Sequence, residues 1–175
     1  MELSERIRYI REAAQIERCH LWPKVRPYVN GAHTYGVCVI LRLLWPDERH
    51  LVDFAMFHDV PERKTGDIAS PTIARIPGLG DGLKVEERGV FRALALPDEH
   101  ALSAEDWAKL RAADSLDLWL WTFEEEALGN QVVLSLREEM DASWDRKHAA
   151  GELPGGVYDL ITEFRQRPWR RHKGV

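Results

Sequence analysis

Apolar residues recur at three- and four-residue intervals along almost the whole chain, the spacing of an amphipathic helix. Leu3, Ile7, Ile10 and Ala14 predict a first helix over residues 3–18. Pro23, Pro27 and Asn30-Gly31 punctuate the segment that follows. His33, Val37, Ile40, Leu41 and Leu44 lie along one broad face of a second helix, residues 32–45. Pro46-Asp47 opens a third, carrying Leu51, Phe54, Ala55 and His58. Residues 61–82 are rich in Gly, Pro and Thr and read as loops, the kind of segment that carries functional groups on a helical frame. Beyond them, residues 83–96 form a helix with Val85, Val90, Phe91 and Leu94 inward. Ser103-Ala104-Glu105-Asp106 has the form of a capping box at the head of a long helix to Leu128, bearing Trp107, Leu110, Asp114, Leu118 and Trp121. Residues 131–149 and 157–167 give the last two helices. No segment shows sustained alternation, so the expected architecture is all-α, one domain over residues 1–175.

Composition narrows the class. With 45% hydrophobic and 30% charged residues, the chain has the balance of a folded globular domain. A net charge of −5 argues against a binder of nucleic-acid polymers, while leaving room for a small phosphorylated ligand held by local cations. No apolar run reaches membrane-span length, and the charged opening "MELSERIRYIREAA" does not read as a signal peptide. Cys19 and Cys38 form neither a metal-type pair nor a disulfide framework, which fits a cytoplasmic location. Both read as small buried residues, and most of the seven tryptophans read as core.

The chemistry concentrates in four residues. His33, the pair His58-Asp59, and Asp114 each sit in an apolar helical stretch, where an unpaired imidazole or carboxylate is expensive to bury. Two imidazoles and two carboxylates suit a divalent cation of middling hardness (Mn, Co, Fe or Zn) better than Ca or Mg. Asp117, one turn after Asp114, competes with it for the ligand role; Ala112 and Ala113 favour Asp114 by leaving room for close helix approach. With His58, Asp59 and Glu62 at positions i, i+1 and i+4 of one helix, Glu62 falls just outside such an ion's ligands, placed to handle a proton on water. Asp67 follows in the turn "TGD", where glycine lets the chain aim a carboxylate back. Either acid could instead be a plain surface charge. "PGLGDG" has no preceding strand and no following Gly-Lys-Ser/Thr, so it is read as a flexible loop and not a phosphate loop.

These residues resemble the signature of the HD-domain phosphohydrolases: a His, then a His-Asp pair, then a distant Asp. Within that superfamily the chain is most similar to the bacterial 5′-deoxynucleotidases and the compact phage dATP triphosphohydrolases. The likeness runs over residues 18–120, through His58-Asp59-Val60-Pro61-Glu62, Thr65-Gly66-Asp67, Ser70-Pro71 and an Arg upstream of the first His. It implies a single helical HD bundle in which His33, His58, Asp59 and Asp114 hold Co, Mn or Zn, with Mg entering alongside a polyphosphate. It also implies that Glu62 and Asp67 are catalytic, that Arg18 and Arg111 contact phosphate, and that Cys19, Leu21, Trp22 and Pro71 border base and sugar. Cys19 departs from the aromatic residue usual there, with Trp22 the nearest substitute; Ile73 replaces a usual basic residue, with Arg75 nearest. Lys24, Arg26 and Lys64 are further candidate cations. The expected function is hydrolysis of a 2′-deoxynucleotide, a dNTP such as dATP ahead of a dNMP, by a homo-oligomer. A module that binds nucleotide without turnover, and an enzyme for cyclic nucleotides or alarmones, stand as rivals.

Overall fold

The structure, a computed structural model, describes residues 1–97 and 102–166. Among these, nine helices form and no strand does: α1 Leu3–Ala13, α2 Asn30–Leu44, α3 Arg49–Ala55, α4 Glu62–Thr65, α5 Ser70–Arg75, α6 Leu79–Leu94, α7 Ala104–Ala127, α8 Val133–Ala149 and α9 Val157–Gln166. The expected end of the last helix at Arg167, and the basic tail after it, lie outside the described residues. None of the described helices is long and apolar enough to cross a membrane.

The frame is the pair α2 and α7. The stripe Val37, Ile40 and Leu41 is buried against Leu110, Ala113, Leu116 and Trp119, with Leu51 and Phe54 of α3, Trp144 of α8 and Ile161 of α9 closing round it. Each such side chain withdrawn from water contributes about 1.5–3 kcal/mol, so the α2–α7 seam is where the fold is held most firmly. The predicted capping box is formed: Ser103 Oγ accepts the Asp106 N–H at 3.1 Å and Asp106 Oδ2 accepts the Ser103 N–H at 2.8 Å. At Gly36 the two helices approach so closely that a Cβ would overlap the Asp117 carboxylate.

Some expectations shift. The first helix ends at Ala13, which is buried, with Tyr9 and Ile10 partly buried beside it, packed on Val60, Val90 and Leu94; Leu3 and Ile7 stand exposed. Val85, expected inward with Val90 and Leu94, is 66% exposed, because nine residues at helical spacing put it on the opposite face of α6 from Leu94. The expected loop region contains α5 and the head of α6.

Candidate active site

The third predicted helix does not run through His58, Asp59 and Glu62. It ends at Ala55, and the chain continues through tight turns in which Phe57, His58, Val60 and Glu62 each bond three residues back. Pro61 has no N–H, so no α-helical ladder can continue unbroken through it to Glu62. Glu62 then opens the four-residue α4. Tight winding still leaves the three side chains on neighbouring faces.

Arg18 arrives by a different device. A single antiparallel bridge pairs Glu17 with Val29, with Arg18 N–H donating to Tyr28 O at 2.7 Å and Asn30 N–H to Ile16 O at 2.9 Å. The bridge sets Arg18 against the first turn of α2, where Asn30 and His33 lie.

His33, His58 and Asp114 each present a ligand atom, and these atoms all lie within 4.8 Å of one another. Asp59 joins them: its Oδ1 is 3.3 Å from His58 Nε2 and its Oδ2 3.5 Å from His33 Nε2, while Arg18 Nη1 sits 2.5 Å from Oδ2. Asp114 Oδ1 lies 2.9 Å from His33 Nε2. Despite that proximity, the Nε2 atoms of both histidines are buried without a partner in hydrogen-bond geometry. Their other nitrogens are engaged. His58 Nδ1 is 2.6 Å from the Ala55 carbonyl, which only accepts, so in the neutral ring that a cation would bind Nδ1 carries the hydrogen and Nε2 the lone pair. His33 Nδ1 is 2.8 Å from Asp117 Oδ2, which also accepts the Tyr28 hydroxyl at 2.5 Å. Two orphaned imidazole lone pairs facing a carboxylate form a donor set that fits a divalent cation. Asp114 remains 41% exposed, so the cluster is reachable from outside.

Charge points the same way. Asp59, Asp114 and Glu62 face one guanidinium, that of Arg18, which is 3.8 Å from Glu62 and 3.9 Å from Asp114. Burial opposes the Arg18 charge, but the carboxylates outweigh it and hold the group firmly protonated. Burial likewise works to lower His58, yet Asp59 and Asp114 push it up to about 9; His33 is raised by Asp114 and Asp117 against its own burial. Asp114 is lowered by the two histidines in spite of burial. Burial, then Asp59, pushes Glu62 up to about 8, with Arg18 and the Asn30 amide opposing. That amide donates to Glu62 Oε2 at 2.7 Å and fixes its orientation.

These shifts give a sign for the metal-free protein. His58 rises from an ordinary 6.5 to about 9, and Glu62 from 4.5 to about 8. A raised folded-state value gives stability that is complete below the unfolded value and lost as pH climbs through the folded one. Metal-free chain should therefore melt at progressively lower temperature from pH 5 to 9, and excess Zn²⁺, which takes imidazole in its unprotonated form, should remove that decline. A metal-free melting temperature that is flat or rising over this window contradicts the assignment.

The other predicted residues fall unevenly. Asp67 Oδ2 accepts the Cys19 N–H at 3.0 Å and so supports Cys19 in a left-handed conformation, φ 53°, that non-glycine residues seldom adopt. Burial pushes the Cys19 thiol up to about 11, so it stays protonated and inert. Leu21, 64% exposed, lines a cleft of about 460 Å³ with Ile16, His20, Asp67, Ala69 and Thr72. Half-buried Trp22 and exposed Pro71 fall outside that lining. Arg111 is exposed on α7, one turn before Asp114. Lys24 pairs with Glu17 at 2.9 Å, Arg26 with Glu124 and Lys64 with Glu86, so these expected phosphate cations have protein partners. A second hollow, about 360 Å³, reaches His58 and Asp59 between α3, α6 and α7, walled by Phe91 and Trp107 with Arg88 and Arg92. Sequence reasoning missed Asn30, Tyr28 and Gly36 altogether; the nearest signal was Asn30-Gly31 immediately ahead of His33.

No family model matches the chain. Over 110 residues it is 31% identical to the 5′-deoxynucleotidase YfbR of Escherichia coli, a match covering 54% of this chain and 54% of that protein. The chain thus spans about half the length of the curated relatives it matches. Among solved structures, the HD phosphohydrolase DatZ of cyanophage S-2L, bound to dA and one catalytic Zn²⁺, superimposes with a TM-score of 0.69 at 20% identity over 95% of each chain. An HD-domain phosphohydrolase from Listeria innocua gives 0.70 at 20% identity, over 95% of this chain and 89% of that one. The chain has the fold of the HD-domain phosphohydrolases.

Proposed function

We propose that the chain is a metal-dependent phosphohydrolase acting at the 5′-phosphate end of a 2′-deoxynucleotide. The observation that carries this reading is the pair of buried, unpartnered Nε2 atoms of His33 and His58 converging with Asp114. His33, His58, Asp59 and Asp114 would hold Zn, Co or Mn. A cation there supplies a Lewis acid for the phosphoryl oxygens and lowers the pKa of water. The remaining work belongs to side chains. Arg18, permanently charged beside Asp59, offsets the negative charge of an incoming phosphate. Glu62, with Oε2 held by Asn30, has Oε1 free to take the proton of the attacking water, and a neighbouring cation shifts it toward the ionised form that this requires. Asp67 shapes the Leu21 cleft, the natural place for sugar and base.

A deoxynucleoside triphosphate such as dATP is the favoured substrate, because Arg92 lines a hollow next to His58 and Asp59 in which a further phosphate finds a cation. A monophosphate is the second reading, favoured by the engagement of Lys24, Arg26 and Lys64 with carboxylates and by the likeness to a 5′-deoxynucleotidase.

The test is a panel of dNTPs, dNMPs and their ribo counterparts with Zn, Co and Mn, with products identified. Release of triphosphate, or of diphosphate and phosphate, from a dNTP is expected; turnover of dNMPs alone selects the second reading. Cleavage only of cyclic nucleotides or alarmones overturns both. Asp59→Ala should abolish turnover with the helical spectrum retained, and unchanged turnover in that variant would remove the site from consideration.

A further inference from the structure

We infer that Asp117 is a positioning residue for His33: held by Tyr28 and given room by Gly36, its carboxylate fixes the ring so that Nε2 faces the cluster. The inference rests on the proposed metal site and concerns what orients its most deeply buried ligand.

His33 is fully buried, and only one of its ring nitrogens can face His58 and Asp114. The other needs a partner inside the protein, and that partner decides which nitrogen carries the hydrogen. Asp117 Oδ2 supplies it at 2.8 Å from Nδ1, nearer than the Tyr28 hydroxyl oxygen at 3.1 Å. The same oxygen accepts the Tyr28 hydroxyl at 2.5 Å, and the Tyr28 ring is itself immobilised by stacking on Trp121 at 5.1 Å and 16°. Asp114 and Asp117 are one turn apart on α7, so a single helix face presents one carboxylate to each nitrogen of the same imidazole. Gly36 lies one turn after His33 on α2, and a side chain there would occupy the space of the Asp117 carboxylate. A carboxylate accepting from Nδ1 both locks the tautomer and strengthens Nε2 as a donor.

Zn²⁺ affinity, measured by competition with a chromophoric chelator, tests this in wild type, Asp117→Asn, Asp117→Ala, Gly36→Ala and the Gly36→Ala/Asp117→Ala double variant. His33→Ala and far-UV circular dichroism serve as references. Asp117→Asn is expected to weaken Zn²⁺ binding about 10- to 100-fold with the helical spectrum intact. Gly36→Ala should weaken it in the wild-type background yet add almost nothing to Asp117→Ala, where no carboxylate remains to be displaced. In Zn-loaded protein with ¹⁵N-labelled histidine, a downfield Nδ1–H resonance lost in His33→Ala should move upfield in Asp117→Asn. Wild-type affinity in both Asp117 variants, with that resonance unmoved, overturns the inference while sparing the site. Failure of wild type to bind Zn²⁺, or undiminished binding by His33→Ala, overturns the site reading and this inference together.

Discussion

Glu62→Gln is expected to slow product release from the preferred deoxynucleotide by roughly 10²- to 10⁴-fold, the usual contribution of a positioned general base. Metal uptake should survive, because the amide replaces the carboxylate at a position outside the His33, His58 and Asp114 cluster. Gln keeps an oxygen for the Asn30 amide, now 2.7 Å from Glu62 Oε2, so the geometry is preserved and the proton acceptor is removed. Single-turnover rates alongside Zn²⁺ titration separate the two effects. Equal loss of metal and of rate would place Glu62 among the ligands; an unchanged rate would leave the water without its proposed base.

Trp119→Ala should have the largest effect on stability, about 3–5 kcal/mol, the range for removing a fully buried aromatic side chain. Trp119 has no exposed surface, meets Phe123 edge-on at 4.8 Å, and donates its indole N–H to Asp141 at 3.1 Å. Its loss opens a void where α7 meets α8 and α9, beside Phe164, and strips a partner from Asp141. Urea unfolding measures the cost. Turnover per folded molecule at low temperature should hardly change, since Asp114 and Asp117 lie on the same helix but toward the ligand cluster. A loss under about 1 kcal/mol would mean that these helices repack freely around the gap.

Much of this architecture was legible in periodicity. His33, Val37, Ile40, Leu41 and Leu44 were placed on one face of α2 from spacing; the first four are buried and Leu44 is partly so. The Ser103 cap was readable because its signature is local. What failed depends on contacts distant in sequence. Spacing identifies a stripe but not a neighbour to cover it, so Leu3, Ile7 and Val85 satisfy the pattern and still face solvent. Lys24, Arg26 and Lys64 looked available because Glu17, Glu124 and Glu86 become their partners only on folding. His33, His58 and Asp114 lie within reach of one another, with Asp59 beside the two histidines. Between Asp114 and Asp117, one turn apart, the sequence could only weigh alternatives; the fold separates them by the imidazole nitrogen each one faces.

The bridge between Glu17 and Val29 staples both ends of the segment that carries Leu21 and Trp22. The excursion between Arg18 and Asn30 is tied down in its second half: Lys24 Nζ donates to the Arg18 carbonyl at 2.6 Å, Val25 N–H to Glu125 Oε2 at 2.7 Å, and the Pro23 carbonyl accepts from Asn130 at 2.9 Å. Closing a somewhat longer excursion adds only a small, logarithmic entropy penalty. A substitution at exposed Leu21 can therefore recast the mouth of its cleft while the ties at Pro23, Lys24 and Val25 keep the guanidinium, and the imidazole beyond it, in place.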